Sequence, residues 1–153
     1  MVQFEGTDPV SMILKTGEVV KGPGKIIGVK DTTGVRVTAG GANEIAIGIS
    51  AGASSRTAEL ALDTNAGATV SVYPLGSVLM VQSKAGVTYN VGDLVYADAD
   101  GLASKTSSSN KVLGIYVGDD AVTGAALVVN GAGDSGASEG TMIRVATAGA
   151  ATA

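Results

Sequence analysis

The chain has 153 residues, ten of them basic and fourteen acidic, and it contains neither cysteine nor histidine. This composition excludes disulfides, thiolate zinc sites, cysteine nucleophiles and histidine-based triads. The formal net charge of −4 argues against a nucleic-acid partner, because that kind of binding relies on clustered lysine and arginine. No apolar run approaches the roughly 18 residues of a membrane span, so we also expect no membrane partner.

Residues 1–10 form a predicted N-terminal arm. MVQFEGTDPV carries two acids and no basic residue, unlike a signal peptide. Phe4, the chain's one phenylalanine, stands among polar neighbours ahead of the turn-forming pair Asp8–Pro9. Two roles stay open: Phe4 packs against the protein's own core, or the arm orders on assembly and Phe4 anchors in a partner's pocket. We take Val2, Phe4 and Glu5 as candidate contacts with a partner or a neighbouring subunit.

Short apolar runs rich in valine, isoleucine and threonine follow the arm, and turn residues separate them, which is typical of an all-β sandwich or barrel. The predicted strands lie near Val10–Lys15, Glu18–Lys21, Lys25–Lys30, Val35–Thr38, Glu44–Ser50, Ala58–Leu62, Thr69–Tyr73, Ser77–Gln82, Leu94–Ala97, Lys111–Val117, Ala125–Asn130 and Met142–Ala146. RTAELALDT, residues 56–64, also fits a short helical turn. We expect one compact β-sandwich or β-barrel-like domain over residues 11–147 and a flexible C-terminal tail over residues 148–153.

Residues 11–50 and 77–117 repeat one another, which predicts an internal duplication of a β unit. The correspondence keeps its order along both stretches and rests mainly on glycines. It pairs Ser11 with Ser77, Gly17 with Gly86, Gly24 with Gly92, Gly34 with Gly101, Asn43 with Asn110, and Gly48–Ile49 with Gly114–Ile115. Chance is the alternative, because a glycine-rich β chain aligns easily with itself.

The stretch ADADG, residues 97–101, raises the question of a calcium loop. An EF-hand loop counted from Asp98 needs glutamate at its twelfth position, which is Ser109 here. A type I′ hairpin turn at Asp100–Gly101 explains the pattern better, and Gly34 is its counterpart in the first repeat. Gly34 and Gly101 are therefore the candidate turn glycines. We expect no metal and no cofactor.

No catalytic set stands out along the chain. GPGKIIG and GGANEIAIG lack the Lys-Ser/Thr pair of a phosphate-binding loop, and no two carboxylates are marked as a glycosidase pair. We therefore expect that the protein is not an enzyme. Charge is distributed unevenly: residues 11–36 carry five basic and two acidic side chains, whereas residues 93–120 carry two basic and five acidic ones. Solvated surface explains this, and so do complementary faces of neighbouring subunits.

GDLVYADADGLASKTSSSNKVLGIYVGDDAVTGAALVVNG, Gly92–Gly131, resembles the capsid decoration, or head cement, proteins of tailed phages. The match falls on Gly92, Val95, Tyr96, Gly101, Gly114, Gly124 and Leu127–Val129. GEVVKGPGKIIGV, Gly17–Val29, and EIAIGIS, Glu44–Ser50, look like that family's first half. The chain departs from the family in its C-terminal GASEGTMIRVATAGAATA and in the insert AGASSRTAELALDTNAGA.

The resemblance implies a compact β domain, commonly trimeric, that binds the outside of an expanded capsid. It would fold in the host cytoplasm, join the virion exterior, and bridge neighbouring major capsid proteins against the internal pressure of the DNA. Its partners would be the major capsid protein and further copies of itself. A β-sandwich module for adhesion or carbohydrate binding is the alternative, although the scarcity of aromatic residues weighs against sugar stacking.

Overall fold

A computed structural model describes residues 8–29, 34–37, 45–55, 68–107, 111–118, 127–128 and 139–148. None of these residues is helical, and the predicted all-β fold class is confirmed. The described residues form twelve strands. They are β1 (Val10–Ile13), β2 (Ile26–Val29), β3 (Val35–Val37), β4 (Ile45–Ser50), β5 (Thr69–Pro74), β6 (Val78–Lys84), β7 (Thr88–Tyr89), β8 (Leu94–Ala97), β9 (Ala103–Ser104), β10 (Lys111–Tyr116), β11 (Leu127–Val128) and β12 (Glu139–Thr147).

Strands β1 to β5 form the N-terminal unit, a five-stranded sheet in the order β1-β5-β4-β2-β3. A parallel bridge between Leu14 and Val35 joins its two ends, so the sheet curls round on itself. Inside it pack seven buried residues. They are Leu14, Val20, Ile27, Val35, Ala68, Val70 and Val72.

Strands β6 to β12 form the C-terminal unit, whose five main strands make a closed barrel, with β6, β12, β10, β8 and β9 following one another round it. The barrel closes through a parallel pair, Ser83 with Ala103. β7 and β11 pair with one another in a separate two-stranded ladder. In the core, the rings of Tyr89 and Tyr116 lie 5.5 Å apart between centroids, and the Tyr89 hydroxyl lies 2.8 Å from the Ser83 hydroxyl.

The two units share one topology, because β1, β5, β4, β2 and β3 correspond in order to β6, β12, β10, β8 and β9. The register agrees residue by residue. Gly48 lies opposite Ile27 in the first unit and Gly114 lies opposite Val95 in the second, and a bulge follows at the same place in each pair. The correspondence extends beyond residues 11–50 and 77–117, since β5 and β12 also take part.

One part of the sequence alignment is corrected by the register. β1 pairs Val10 with Val72, and β6 pairs Leu79 with Val145, at equivalent places in the two sheets. Ser11 therefore corresponds to Met80, not to Ser77, because the sequence alignment matched a serine ahead of an apolar run, whereas the strand register fixes the position. With Ser11 aligned to Met80, Gly17 aligns with Gly86, as the glycine alignment of the sequence predicts.

Several predicted strand boundaries change in the structure. The prediction of a strand at Glu18–Lys21 is wrong. Val20 is buried there, and its carbonyl accepts hydrogen bonds from the main-chain N–H and the hydroxyl of Ser54 instead of from a neighbouring strand. The short strands β7 and β9 were missed, because a strand of two residues carries no periodic pattern. The predictions for residues 56–64, whether strand or helical turn, lie outside the described residues.

Candidate functional site

Asp98, the first aspartate of the ADADG stretch, organises its own hairpin loop. One Asp98 side-chain oxygen accepts hydrogen bonds from the main-chain N–H groups of Asp100 (2.8 Å) and Leu102 (3.1 Å). The other lies 2.9 Å from the Lys84 ammonium group, and this ion pair raises the pKa of Lys84. Main-chain bonds from Asp98 to Leu102 and from Gly101 to Asp98 enclose three loop residues between β8 and β9. The loop is therefore a three-residue hairpin connection, not the two-residue type I′ turn expected at Asp100–Gly101.

Gly101 serves the contact between the two units as well as the turn. Its φ of 73° lies in the left-handed region that favours glycine, and a Cβ at this position would lie 2.2 Å from a Val37 methyl group of the N-terminal unit. The Gly101 carbonyl also accepts a hydrogen bond of 2.9 Å from the Ile26 N–H. The β8–β9 loop thus seats the C-terminal unit against β2 and β3.

Gly34, the other candidate turn glycine, directly precedes β3 and has a φ of 137°. A Cβ on Gly34 would lie 2.7 Å from the Lys15 nitrogen and 2.9 Å from the Leu14 carbonyl carbon. Gly34 therefore lets the chain approach the bridge that joins the ends of the N-terminal sheet. By strand register Val35 corresponds to Ala103, so Gly34 corresponds to Leu102. The predicted pairing of Gly34 with Gly101 is therefore wrong by one residue, although both glycines lie just before the equivalent strands β3 and β9.

A groove of about 380 Å³ runs along the seam between the units. Three basic and three acidic side chains line it together with Val19, Val37 and Ala99; the charged ones are Lys21, Lys25, Arg36, Glu18, Asp100 and Glu139. Lys25 and Glu139 form an ion pair of 2.5 Å across the seam, with side chains only 10% and 17% exposed. Because the charges balance, the groove lacks the single sign that draws a polyanion or a cation.

A second cavity, of about 230 Å³, lies on the seam and is mainly apolar. Its walls come from both units, and Tyr73 is the only aromatic residue among them. They are formed by Pro23, Gly24, Ser50, Ala51, Tyr73, Leu79, Met80 and Met142. Among the described lining residues, Tyr73 therefore offers one aromatic ring, which is less than the stacking surface that a sugar-binding site uses.

Seven large apolar side chains of the described residues are exposed, and two pairs of them lie on strands, one pair on each unit. We call Leu94 and Ile115 the β8/β10 patch; they lie opposite one another in register, share one face, and are 48% and 43% exposed. We call Val10 and Ile13 the β1 patch; they are 46% and 63% exposed and lie on the edge strand β1, with side chains on its two opposite faces because they are three residues apart. Exposed apolar residues that cluster mark contacts with another macromolecule.

Charge next to the β8/β10 patch is arranged by an ion pair. The Lys105 ammonium lies 2.8 Å from the Asp93 carboxylate and, by this hydrogen bond, holds the pKa of Asp93 below its ordinary value. Asp93 directly precedes Leu94, so a carboxylate that stays ionised flanks the apolar patch.

The structure brings Gly101 to the seam and Gly34 to the sheet closure, but it does not bring these glycines together. Val2, Phe4 and Glu5, the candidate contacts of the arm, lie outside the described residues. Sequence reasoning missed the two exposed patches. The repeat contained the signal, because it aligns Leu94 with Ile26 and Ile115 with Ile49. In the structure the two aligned pairs have different neighbours.

Two further kinds of site concern the described ranges, a metal site and a helical membrane span. No group of three or more acidic side chains there lies close enough to hold a metal ion. No helix in those ranges has the length and apolar character needed to cross a bilayer. Comparison of the chain with protein-family models, with curated proteins and with solved structures gives no match.

Proposed function

We propose that the protein is a structural capsid decoration protein that binds the outer surface of a phage head and stabilises contacts between major capsid proteins. The observation that carries the proposal is the pair of exposed apolar patches, one on each unit of a double β body. A body with two separate contact surfaces is suited to bind two neighbouring subunits of an assembly. The resemblance of Gly92–Gly131 to head cement proteins supplies the class of partner.

The proposed role is mechanical, without catalysis or a cofactor. Asp98, the most suggestive carboxylate of the sequence, is buried and engaged with its own loop and with Lys84. Lys25 and Glu139, the closest ion pair at the seam, hold the two units together. These groups support the fold, and that use leaves them little freedom to exchange protons or ligands with a substrate.

The proposed partners are the major capsid protein and further copies of the chain, assembled as a trimer on the virion exterior after folding in the host cytoplasm. The N-terminal arm with Val2, Phe4 and Glu5 is the proposed grip on the capsid or on a neighbouring subunit. Burying the Phe4 ring would contribute about 2–3 kcal/mol. Ordering each arm residue costs about 1–2 kcal/mol, so strand addition would have to contribute as well.

The test uses expanded capsids of the phage whose genome encodes this chain, prepared without it. We expect the purified protein to co-sediment with these capsids at a saturating stoichiometry and to raise their thermal disruption temperature. The matched variant lacks residues 1–7 and should fold but occupy fewer sites. Absence of binding by the full chain would refute the capsid role, and binding to immobilised glycans instead would favour the adhesion alternative.

A further inference from the structure

The outer face of β2 and β4 in the N-terminal unit is covered by the C-terminal unit. Ile26 and Ile49 lie opposite one another in register, are 0% and 1% exposed, and belong to the same buried cluster as the core of the C-terminal barrel. The equivalent residues of the C-terminal unit are Leu94 and Ile115. These form the β8/β10 patch, so the same apolar face is covered in one unit and exposed in the other.

The surface that covers Ile26 and Ile49 also has an exposed counterpart. On the C-terminal unit it includes Leu79, which is 3% exposed and lines the seam cavity, and the Gln82 N–H, which donates a hydrogen bond of 2.9 Å to the Gly24 carbonyl. By register, Leu79 corresponds to Val10 and Gln82 corresponds to Ile13. These are the residues of the β1 patch.

Gly24 and Gly92 make the same comparison at the level of the main chain. The Gly24 N–H donates to the Ser50 carbonyl (2.9 Å) and the Gly92 N–H to the Tyr116 carbonyl (2.8 Å), and both glycines have positive φ, 83° and 97°. A Cβ on Gly24 would lie 3.1 Å from the Gln82 nitrogen of the other unit, whereas a Cβ on Gly92 would meet open space. Gly92 therefore has the same main-chain conformation as Gly24 but has no contact with another unit.

We propose that a second copy of this chain binds the β8/β10 patch through its β1 patch, in the way that the two units bind one another within the chain. Leu94 and Ile115 of one copy would pack against the β1 edge of the next, which exposes Val10 on one face and Ile13 on the other, and the Gly92 carbonyl would accept a hydrogen bond from the Ile13 N–H of the next copy. The contact is head-to-tail, so it repeats from copy to copy, and a rotation that closes would give the ring of the proposed trimer. This inference deepens the oligomeric part of the proposed function and does not depend on capsid binding.

The sequence charges agree with this arrangement. The β1 patch adjoins residues 11–36, and the β8/β10 patch lies within residues 93–120. Without Lys25, Asp93, Asp98 and Lys105, which form ion pairs within the chain, the first segment carries four basic and two acidic side chains and the second carries one basic and three acidic ones. Head-to-tail contact brings these segments of opposite sign together, whereas contact between two β8/β10 patches would bring acidic segments together. Opposite charges speed association and disfavour the wrong orientation.

The first test measures the mass of the wild-type chain and of two variants by analytical ultracentrifugation. Leu94→Glu removes one surface and Ile13→Glu removes the other, while Ile45→Glu changes a residue that is 51% exposed and lies in neither patch. We expect the wild type and Ile45→Glu to form the same oligomer. Each patch variant should dissociate with a Kd raised roughly thirtyfold or more. A monomeric wild type at high micromolar concentration, or patch variants of unchanged mass, would overturn the proposal.

The second test mixes the two patch variants. Head-to-tail contact leaves one intact surface on each chain, so the mixture should form a 1:1 dimer although neither variant associates alone. A contact between identical patches instead predicts that Ile13→Glu still self-associates and that mixing adds nothing, and that result would refute the proposal. Circular dichroism of each variant verifies the β fold, which substitution of exposed residues should preserve.

A glycine pair gives a test without new charges. Gly92→Ala and Gly86→Ala both place a Cβ at a positive φ, 97° and 81°, with no neighbouring atom within 4 Å. The two variants should be equally destabilised as monomers, but only Gly92→Ala should weaken association, by at least about tenfold. Equal association of the two variants would exclude Gly92 from the contact and contradict the proposed geometry.

These outcomes are separable from those of the capsid test. A chain that forms the head-to-tail oligomer but leaves capsids unbound would refute the proposed function and retain the inference. A chain that binds capsids as a monomer would do the reverse.

Discussion

The main chains of Gly114 and Ala146 approach so closely that a Cβ on Gly114 would lie 2.1 Å from the Ala146 carbonyl oxygen. The approach belongs to the bulged pairing in which β10 lies between β8 and β12. Gly48, the equivalent residue of the N-terminal unit, has the same restriction, with the Tyr73 carbonyl oxygen at 2.4 Å. Glycine is therefore needed at both positions, because a side chain would collide with the main chain of the neighbouring strand.

We therefore predict that Gly114→Ala and Gly48→Ala each destabilise the protein by about 1–3 kcal/mol or more, because backbone atoms must move to admit the methyl group. Gly22→Ala is the matched control, since a Cβ there meets no atom within 4 Å. Urea unfolding followed by far-ultraviolet circular dichroism measures the difference. Equal midpoints for Gly114→Ala and Gly22→Ala would contradict the close approach.

A second prediction concerns the contact between Gly101 and Val37. Gly101→Ala should destabilise the protein for two reasons, a positive φ and a methyl group within 2.2 Å of the Val37 side chain. Val37→Ala removes the second reason only. The double variant should therefore be less destabilised than the sum of the two single variants, by about 1 kcal/mol in the coupling free energy. Strict additivity would mean that the loop does not press on β3.

The third prediction tests the seam ion pair. Glu139→Gln removes the carboxylate partner of Lys25, whose side chain is only 10% exposed, and should lower the free energy of unfolding by about 2 kcal/mol. The double variant Lys25→Met, Glu139→Gln should recover part of the loss, because no largely buried ammonium group is then left without its carboxylate. Asp93→Asn, which breaks the more exposed pair with Lys105, should have a much smaller effect.

The fourth prediction follows from the ionisation of Tyr89. Burial of the phenol raises its pKa from 10.0 to about 12. The unfolded chain loses this proton near pH 10 and the folded chain near pH 12, so the contribution to stability is complete below pH 10 and is lost as the pH rises through this window. Tyr89→Phe should flatten the decline in unfolding free energy between pH 10 and pH 12.

Lys84 serves as an internal reference for that experiment. Its raised pKa also lowers stability at alkaline pH, and it remains in both proteins. The difference between wild type and Tyr89→Phe therefore isolates the phenol. Phenolate absorbance should show a tyrosine step near pH 12 in the wild type that is absent from Tyr89→Phe. Persistence of that step in Tyr89→Phe would assign it to another residue.

The fifth prediction answers the question of a calcium loop. Asp98→Asn keeps one side-chain oxygen for the Asp100 and Leu102 N–H groups but removes the charge that faces Lys84. We expect a lower pKa for Lys84, a modest loss of stability, and no change of melting temperature with added calcium in either protein. A calcium-dependent rise that Asp98→Asn abolishes would establish a metal site.

Sequence reasoning reached the strands whose pattern is long enough to read. Alternation in β3 and apolar runs in β2, β4 and β8 sufficed, because these segments are buried on one or both faces. The glycine correspondence also pointed to the duplicated topology. It did not place Ser11, because the alignment matched residue type and paired Ser11 with Ser77, three residues before its structural counterpart Met80.

The candidate site was harder to predict for a physical reason. Leu94 and Ile115 have the same residue character as Ile26 and Ile49, so composition cannot tell which pair is covered. That distinction depends on how one unit packs on the other, which is a long-range property. Gly101 was found as a turn glycine from its neighbours, but its contact with Val37 depends on the same packing.

The covalent link between the two units has a consequence for dilution. Within one chain, the seam that covers Ile26 and Ile49 forms at an effective concentration that does not depend on how much protein is present. A contact of the same design between chains depends on concentration. Dilution should therefore separate copies while each seam stays intact, so the smallest species in solution is a chain whose two units remain packed on one another.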